Sequence, residues 1–419
     1  MKAIAAALMA LLAVISPKDR RPLTLDDALR IFRTRGYDLL VAQQAIESAR
    51  GDLVIAGALP NPSVALSRGS TSNYNPALCS GCSNQALSAS VADQALSDVV
   101  SGRRALREDV ARAALEVTRR SRDDVERTLE LSVKQQVLSA ELAKKAVNFA
   151  REAEGLAAQT YRLTQTRYRA GAISEADVAR ADVQRLEAEQ AIDTAVQILA
   201  TAESQAAFLL ATNVPIDVGD DLTRPAFFDV TREAIHSQAL EHRPDLAAIR
   251  SQIERARSSL RLARRLRVPD FSPSLQYSRE GSGQSAIQPP TITVGLTSIV
   301  PIFNRYRGEI AKAEADLREQ EILRDKIEAQ VSADVNVSFA AFVSSRSRLD
   351  RMQSHLLPQA ARARDLVRLQ YEKGAASLFE LLDAQRVYLG TQNEFLQTLN
   401  DYWTAVFQME LASGMELRR

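Results

Sequence analysis

The chain contains the same pattern twice. Seven early residues, Thr24, Asp38, Leu39, Ala49, Arg50, Leu53 and Ala56, recur 207 residues later as Thr231, Asp245, Leu246, Ala256, Arg257, Leu260 and Ala263. Five later residues, Tyr168, Gly171, Ala172, Ser174 and Ala181, recur 203 residues on as Tyr371, Gly374, Ala375, Ser377 and Ala384. Two displacements this similar indicate one tandem duplication, and two similar halves usually build one quasi-symmetric object. The repeats are placed at 17–212 and 231–419, with residues 213–230 between them.

Proline placement divides each repeat into two parts, a first part that contains several prolines, called the front below, and a second part that is nearly free of proline. No proline lies between Pro76 and Pro215, and only one lies beyond Pro301. Because a proline inside a helix costs about 3 kcal/mol, these long stretches predict long helices. We expect helical hairpins at about 101–212 and 303–412, the second followed by a short C-terminal tail.

Each front is expected to begin with one helix. The first runs from Thr24, a plausible N-cap followed by Asp26 and Asp27, to about Gly57. Acidic residues in a first turn favour the positive end of the helix dipole. The second helix is expected over Thr231–Leu266.

Alternation with a period of two residues follows each front helix and predicts strands. Apolar and small polar residues alternate over 63–69 and 85–91, and again on both sides of a loop rich in Gly and Pro at 281–290. The β-hairpins are expected at about 63–98 and 273–300. Strands of about ten residues suit a tilted bilayer crossing. An ordinary antiparallel sheet lying on the helices is the alternative.

Each helical hairpin reverses at a glycine. The turns are RAGAIS at 169–174 and EKGAAS at 372–377. Gly171 and Gly374 stand where a helix end or a tight reversal needs a positive φ angle. A kink is expected near Pro358.

The N-terminus predicts export. The apolar run Ala3–Ser16 is shorter than the about 20 residues that a spanning helix needs, and it suits a signal peptide at 1–16. A buried N-terminal helix is the alternative. No later segment is apolar enough to span as a helix, so any membrane crossing is expected to be made by strands. The net charge of +1 gives no global attraction for nucleic acid.

The two cysteines, Cys79 and Cys82, form one CxxC pair in the first hairpin loop. A disulfide, a redox pair and half a zinc site all fit this spacing. Export favours a small disulfide that staples the loop.

The sequence contains no recognisable catalytic motif. It lacks GxSxG, HExxH, a P-loop and a GxGxxG placed between a strand and a helix. It also lacks the Met-rich or His-rich clusters of a tight metal site. We therefore expect no enzyme activity, no cofactor and no bound metal.

Four strands cannot close a barrel, because about eight are the practical minimum. Open sheet edges in lipid leave backbone groups without hydrogen bonds, so a four-stranded membrane sheet must be completed by other copies of the chain. The long apolar helical hairpins also need partners beside them. A homo-oligomer enclosing a passage is the expectation.

Several motifs resemble the outer-membrane efflux channels of the TolC type. They are LTLDDALR (23–30), ALPNP (58–62), IVPIFNRYRGEIAKAEADL (299–317) and the paired YxxGxxS turns. The stretch at 301–315 is most similar to the heavy-metal subgroup, the outer-membrane partners of cobalt-zinc-cadmium or copper-silver exporters.

This resemblance implies a mainly α-helical homotrimer. Three chains would form a twelve-stranded β-barrel in outer-membrane lipid, continuous with a periplasmic α-helical barrel. The channel would lie in the outer membrane of a Gram-negative bacterium. It would receive its substrate from an inner-membrane RND-type pump and a periplasmic adaptor protein. Heavy-metal cations are the expected substrate.

The resemblance also assigns residues to a periplasmic mouth. Glu380 and Asp383 share a helix face at i and i+3, and in the family acidic residues at this point line the mouth. Six carboxylates in a trimer would attract cations and raise one another's pKa. The first repeat has Asp177 and Arg180 at these places, and an ion pair of Arg180 with a neighbouring acid is a candidate for holding the mouth shut.

Adaptor helices are expected to dock beside the two turns. The residues concerned are Tyr168, Gly171, Ser174, Tyr371, Gly374 and Ser377. Small residues around both glycines would allow close approach of the adaptor, which would open a mouth that is closed at rest.

Other functions remain open. An exported coiled-coil structural protein without a pore would share the helical seams, but it would not need the strand pairs. A periplasmic adaptor would be expected to have one helical hairpin rather than two. The same channel could also serve drug efflux or protein secretion.

Overall fold

The computed structural model describes residues 22–70, 77, 85–214, 216–219, 222, 225, 227–280 and 289–417. The expected signal peptide at 1–16 and the Cys79–Cys82 pair lie outside these residues. In the first repeat the elements are α1 (Leu25–Arg35), α2 (Tyr37–Gly57), β1 (Ser63–Ser70), β2 (Gln85–Ala92), α3 (Ala95–Val100), α4 (Arg103–Arg169) and α5 (Glu175–Leu209). In the second they are α6 (Arg232–His242), α7 (Pro244–Arg265), β3 (Asp270–Glu280), β4 (Thr291–Ile299), α8 (Arg307–Arg351), α9 (Leu357–Glu372) and α10 (Leu378–Ser413).

The predicted fold class is confirmed in its elements. Each repeat supplies one β-hairpin and one long helical hairpin, α4–α5 in the first and α8–α9–α10 in the second. Helix α4 alone contains 67 residues, which corresponds to roughly 100 Å at 1.5 Å per residue.

The continuity predicted for the front helices is wrong. The expected helix from Thr24 to Gly57 is interrupted at Gly36, whose ψ of 121° is not helical. The expected helix over Thr231–Leu266 is interrupted at Arg243, whose ψ is 123°. Proline at the next position explains the second break, because it disfavours the helical region for the residue before it.

The chain divides into two compact units that cut across the repeats. One consists of Met1–Val41, Asp124–Arg243 and Ala329–Arg419, and the other of Ala42–Asp123 and Pro244–Glu328. The first is entirely helical in its described elements, apart from an isolated bridge between Leu23 and Val218. The second contains the sheet.

The sheet has four antiparallel strands in the order β1-β2-β3-β4. Hairpin β1–β2 pairs Ser63 with Ala92 and Ser70 with Gln85. The two repeats meet at the centre, where β2 and β3 pair with Ser88 opposite Ser278. Strand pairing between the repeats therefore makes one sheet out of two hairpins.

The apolar face of this sheet is uncovered in the single chain. Val64 and Leu66 on β1 are 67% and 76% exposed, and Val294 on β4 is 81% exposed. An apolar surface of this kind on a soluble sheet would normally be buried on a core. Within the described residues of the unit that contains the sheet, these side chains are therefore not packed face-on against helices, as the alternative required.

An aromatic cluster lies in the helical unit and joins the inter-repeat segment to the second repeat. The rings of Phe228 and Phe342 stack with centroids 5.2 Å apart, and Tyr402 and Trp403 meet edge to face at 5.4 Å. The indole nitrogen of Trp403 donates to the carbonyl of Leu222 at 2.5 Å. Burial raises the pKa of the Tyr402 hydroxyl to about 12.

A buried ion pair joins α4 and α10 in the same unit. The Nζ atom of Lys134 lies 2.7 Å from Oε2 of Glu410, and the two side chains are 6% and 3% exposed. The other carboxylate oxygen of Glu410 accepts from the backbone N–H of Leu417 at 3.1 Å. Because both charges are desolvated, their geometry restricts how α4 and α10 can be placed against each other.

A π-helical turn, Met352–Leu356, separates α8 from α9. The N–H of Leu357 donates to the carbonyl of Met352, five residues back. Proline at 358 has no N–H for the carbonyl four residues before it, which explains a wider turn here. The sequence predicted an interruption at this place.

Within the described residues, we find no helix whose length and hydropathy together suffice for a bilayer crossing.

We expect Lys134→Met to lower the free energy of unfolding by about 3–5 kcal/mol, because the change removes the ammonium that balances a buried carboxylate. Thermal unfolding followed by circular dichroism measures the loss. The double variant Lys134→Met/Glu410→Gln should recover most of it, since the buried charge is then gone as well.

Lys312→Met is the matched control. Its partner Asp316 lies 3.5 Å away and both side chains are largely exposed, so this pair should contribute less than about 1 kcal/mol. Equal losses from the buried and the exposed lysine would contradict the account of Lys134.

Candidate functional site

The first hairpin turn is closed by backbone hydrogen bonds around Gly171. Its φ angle is +70°, as the sequence predicted. The N–H of Gly171 donates to the carbonyl of Tyr168 at 2.8 Å, and the N–H of Ala172 donates to that of Arg167 at 2.9 Å. These two bonds form a Schellman motif, which satisfies the last carbonyls of α4.

The second turn repeats this geometry around Gly374, whose φ is +79°. The N–H of Gly374 donates to the carbonyl of Tyr371 at 3.0 Å, and the N–H of Ala375 donates to that of Gln370 at 2.8 Å. A side chain larger than hydrogen would be strained at both glycines, because L-residues rarely adopt this φ.

Both returning helices begin with a capping box. Ser174 accepts from the N–H of Asp177 at 3.3 Å, and Asp177 accepts from the N–H of Ser174 at 3.4 Å. In the second turn, Ser377 accepts from the N–H of Glu380 at 3.3 Å, and Glu380 accepts from the N–H of Ser377 at 2.7 Å. Glu380, which was predicted to line the mouth, and Asp177, its counterpart in the first repeat, thus each cap a helix N-terminus.

This capping geometry lowers the pKa of Glu380, one of the two acids predicted to line a mouth. The backbone N–H of Ser377, followed by its hydroxyl, donates to Glu380 and holds the pKa of that carboxyl below its ordinary value. Glu380 is solvent-exposed. It is therefore an anchored negative charge that resists protonation.

The neighbouring charges form short ion pairs along their own helices. Asp383 lies 2.7 Å from Arg386, both being substantially exposed. Arg180 lies 3.5 Å from Asp177. Within one chain the partner of Arg180 is thus an acid of the same helix.

The two turns are not equivalent in burial. Tyr371 is 1% exposed, whereas Tyr168, its counterpart in the first repeat, is 44% exposed. The guanidinium of Arg167 lies over the ring of Tyr371 at 4.6 Å from its centroid and donates to the Tyr371 carbonyl at 2.9 Å. Arg167 therefore joins the end of α4 to the end of α9.

Sequence reasoning missed Arg167. Its partner is 204 residues away in the chain. The signal that was present is a difference between the repeats, since Gln370 takes the place of Arg167 just before the two matching tyrosines. The turn residues expected to dock an adaptor all lie at these two turns, and Arg167 brings the turns together.

The described residues contain no group of three or more His, Cys, Asp and Glu side chains arranged to hold a metal ion. The residues at the turns are instead suited to capping, to packing and to presenting negative charge.

Comparison with known proteins gives the family. The description "Outer membrane efflux protein" matches residues 30–212 and again residues 235–415. The two matched segments correspond to the two repeats.

Two curated relatives and one solved structure resemble nearly the whole chain. The cobalt-zinc-cadmium resistance protein CzcC of Cupriavidus metallidurans is 22% identical over 94% of this chain and 90% of its own length. The pyoverdine export outer membrane protein OpmQ of Pseudomonas aeruginosa is 27% identical over 89% of this chain and 81% of its own. The crystal structure of a membrane protein from Pseudomonas aeruginosa has a TM-score of 0.78 at 20% identity, covering 93% of this chain and 90% of that one.

The double match, the four-stranded sheet and the paired helical hairpins agree on one assignment. The chain belongs to the outer membrane efflux protein family, and it is an exit duct of the outer membrane rather than an enzyme.

Proposed function

We propose that this duct works as a homotrimer in which three four-stranded sheets form one twelve-stranded barrel. The observation that carries the proposal is the sheet itself, whose apolar side chains are exposed and whose outer strands, β1 and β4, pair on one side only within the part of the chain that the structure describes. Lipid would cover the apolar face, and neighbouring chains would supply the missing backbone hydrogen bonds. The helical hairpins of the three chains would form the periplasmic barrel.

The partners we propose are a periplasmic adaptor and an inner-membrane pump of the RND type. A duct without a catalytic site or a bound cofactor needs an energy source elsewhere. The adaptor would dock at the exposed parts of the two turns, where Gly171 and Ser174 of the first repeat and Gly374 and Ser377 of the second are all accessible.

The mouth that we propose for the duct lies at the second turn, with Glu380 and Asp383 as its acidic residues. Three chains would bring six carboxylates to one axis. The cap at Ser377 lowers the pKa of Glu380 and so favours its ionised form. Repulsion between the carboxylates of such a ring would raise the same pKa, and it would act against this lowering. An acidic ring attracts cations and hinders anions.

Arg180 of the first turn is proposed to balance the mouth. Its side chain is 70% exposed, and its Nη1 atom lies 3.5 Å from Oδ1 of Asp177. A carboxylate of a neighbouring chain could therefore recruit it without breaking a strong bond. This exchange would hold the closed mouth together.

Heavy-metal cations are the cargo that we favour. The name of the relative CzcC concerns cobalt, zinc and cadmium, and an acidic mouth is suited to cations. The second candidate is a siderophore, because OpmQ proteins are named for pyoverdine export and are 25% and 27% identical to this chain.

Neutralising the mouth should weaken its preference for cations. Glu380→Gln/Asp383→Asn removes two charges per chain and leaves the side-chain shapes, so the reversal potential in a salt gradient should move toward zero. Planar-bilayer recording of the purified channel measures this shift.

The matched control is Asp316→Asn/Glu319→Gln. These two exposed acids share the same i, i+3 spacing on α8, outside the turns. An equal shift in both double variants, or no shift in either, would remove Glu380 and Asp383 from the mouth.

Ser377→Ala should make cation preference more sensitive to acid. The change removes a donor that lowers the pKa of Glu380, so the carboxyl would become protonated at a higher pH than in the parent channel. The cap stabilises the helix fully above the ordinary pKa of glutamate, and this stabilisation is lost as the pH falls through the lowered pKa of Glu380. Reversal potentials recorded from neutral pH downward test the order.

Ser174→Ala removes the equivalent hydroxyl from the first turn and serves as control. It should leave the acid sensitivity of cation preference unchanged. The same displacement in both variants would mean that capping, rather than the charge of Glu380, sets ion preference.

Deletion of the gene from its host should lower the minimum inhibitory concentrations of Co²⁺, Zn²⁺ and Cd²⁺ and leave siderophore release unchanged. Complementation with the parent gene should restore growth. Siderophore retention with unchanged metal tolerance would support the second candidate and contradict the first.

A further inference from the structure

One contact near the turns joins the two repeats inside the chain. Leu163 on α4 packs against the buried cluster of Tyr371, Leu378 and Leu381. Arg167, one helical turn further along α4, stacks on the Tyr371 ring and donates to its carbonyl. The outgoing helix of the first repeat thus supplies an apolar side chain and a cation, and the second repeat supplies a tyrosine.

The duplication places the same contact partners on two other surfaces. With the displacement of 203 residues, Leu366 on α9 corresponds to Leu163, and Tyr168 on α4 corresponds to Tyr371. In the single chain Leu366 is 51% exposed and Tyr168 is 44% exposed. The leucine and the tyrosine that meet inside the chain therefore each have a counterpart that is exposed at its surface.

A closed ring of repeats brings these two surfaces together. In such a ring each repeat touches the one before it and the one after it. Inside a chain, the first repeat contacts the second. Between chains, the second repeat of one chain contacts the first repeat of the next, and the two contacts are then equivalent. An interface of this head-to-tail kind closes into a ring when the rotation fits.

We propose that Leu366 of one chain packs on Tyr168 of the next and that this pair is the subunit contact beside the turns. The occupant of the exposed surface is a second copy of this chain. The proposal rests on the trimer proposed above and adds the residues through which its helical ends meet.

The contact between chains is the weaker of the two. Gln370 stands where Arg167 stands in the first repeat, so no guanidinium covers Tyr168 from α9. Glu175 and Val178 replace Leu378 and Leu381, which reduces the apolar surface around the tyrosine. The ends of the hairpins should therefore separate between chains, while the Arg167–Tyr371 contact stays closed within each chain.

Cysteine cross-linking tests the pairing. In a Cys79→Ser/Cys82→Ser background, Tyr168→Cys/Leu366→Cys treated with a short bifunctional thiol reagent in outer membranes should give covalent dimers and trimers on denaturing gels. The control Leu163→Cys/Tyr371→Cys joins positions of one chain and should migrate as a monomer. Each single variant should also remain a monomer.

The possible results separate this contact from the proposed function. A channel that is trimeric by native mass but whose Tyr168→Cys/Leu366→Cys variant stays monomeric on denaturing gels overturns the contact alone. A channel that is not trimeric overturns the proposed assembly, and the contact falls with it.

Gln370→Arg is the second test and does not depend on cysteines. It places a guanidinium at the seam between chains, where a cation–π contact with Tyr168 should slow dissociation of the trimer in denaturing detergent by about fivefold or more. The triple change Gln370→Arg/Tyr168→Leu/Leu366→Ala should lose this gain. A gain that survives removal of Tyr168 and Leu366 would overturn the proposal.

Discussion

The sheet can pair its backbone completely only along its two inner strands. Strands β1 and β4 have partners on one side in the described part of the chain, and their apolar side chains are exposed. In lipid the outer edges would leave N–H and C=O groups without hydrogen bonds, which costs several kcal/mol for each group. Duplication doubles the number of strands without closing the sheet. The proposed trimer follows from this incompleteness, and the proposed contact beside the turns rests on that trimer.

At the turns of the helical hairpins, the residues that cap a helix also set the position and the pKa of a charged group. Ser377 and Glu380 cap α10 with reciprocal hydrogen bonds, and the same bonds lower the pKa of Glu380. A charge fixed by a cap has a defined position, whereas a freely rotating glutamate would spread its charge over several rotamers. The first repeat keeps the capping box with Asp177 but has Arg180 where the second has Asp383. The duplicated turn has thus preserved its backbone while its charges diverged.

Much of the fold could be predicted from the sequence, because it depends on local signals. Period-two alternation located the strands, and Gly171 and Gly374 located the reversals where positive φ was needed. The S-x-x-D and S-x-x-E patterns also contained the capping boxes, although the sequence analysis gave Glu380 only a role at the mouth and Asp177 only a possible role in holding it shut. The unequal burial of Tyr168 and Tyr371 could not be predicted. It depends on Arg167, a residue that sequence distance separates from its partner by half the chain. The continuity expected for the second front helix was wrong for a local reason, because Pro244 begins the next helix rather than lying inside one.

The π-helical turn at Met352–Leu356 has an effect on every residue of α8 before it. Helix α4 has no such turn among its 67 residues, while the corresponding helix of the second repeat widens once. The two hairpins can be aligned by counting residues back from the glycine of each turn. In this alignment, the side chains of α8 are rotated about the helix axis by roughly 100°, the angle of one residue, relative to their counterparts on α4. Matching sequence positions in the two hairpins therefore point in different directions at that height. A protein that binds both hairpins along their length therefore contacts two different side-chain patterns, and this difference allows it to distinguish one hairpin from the other.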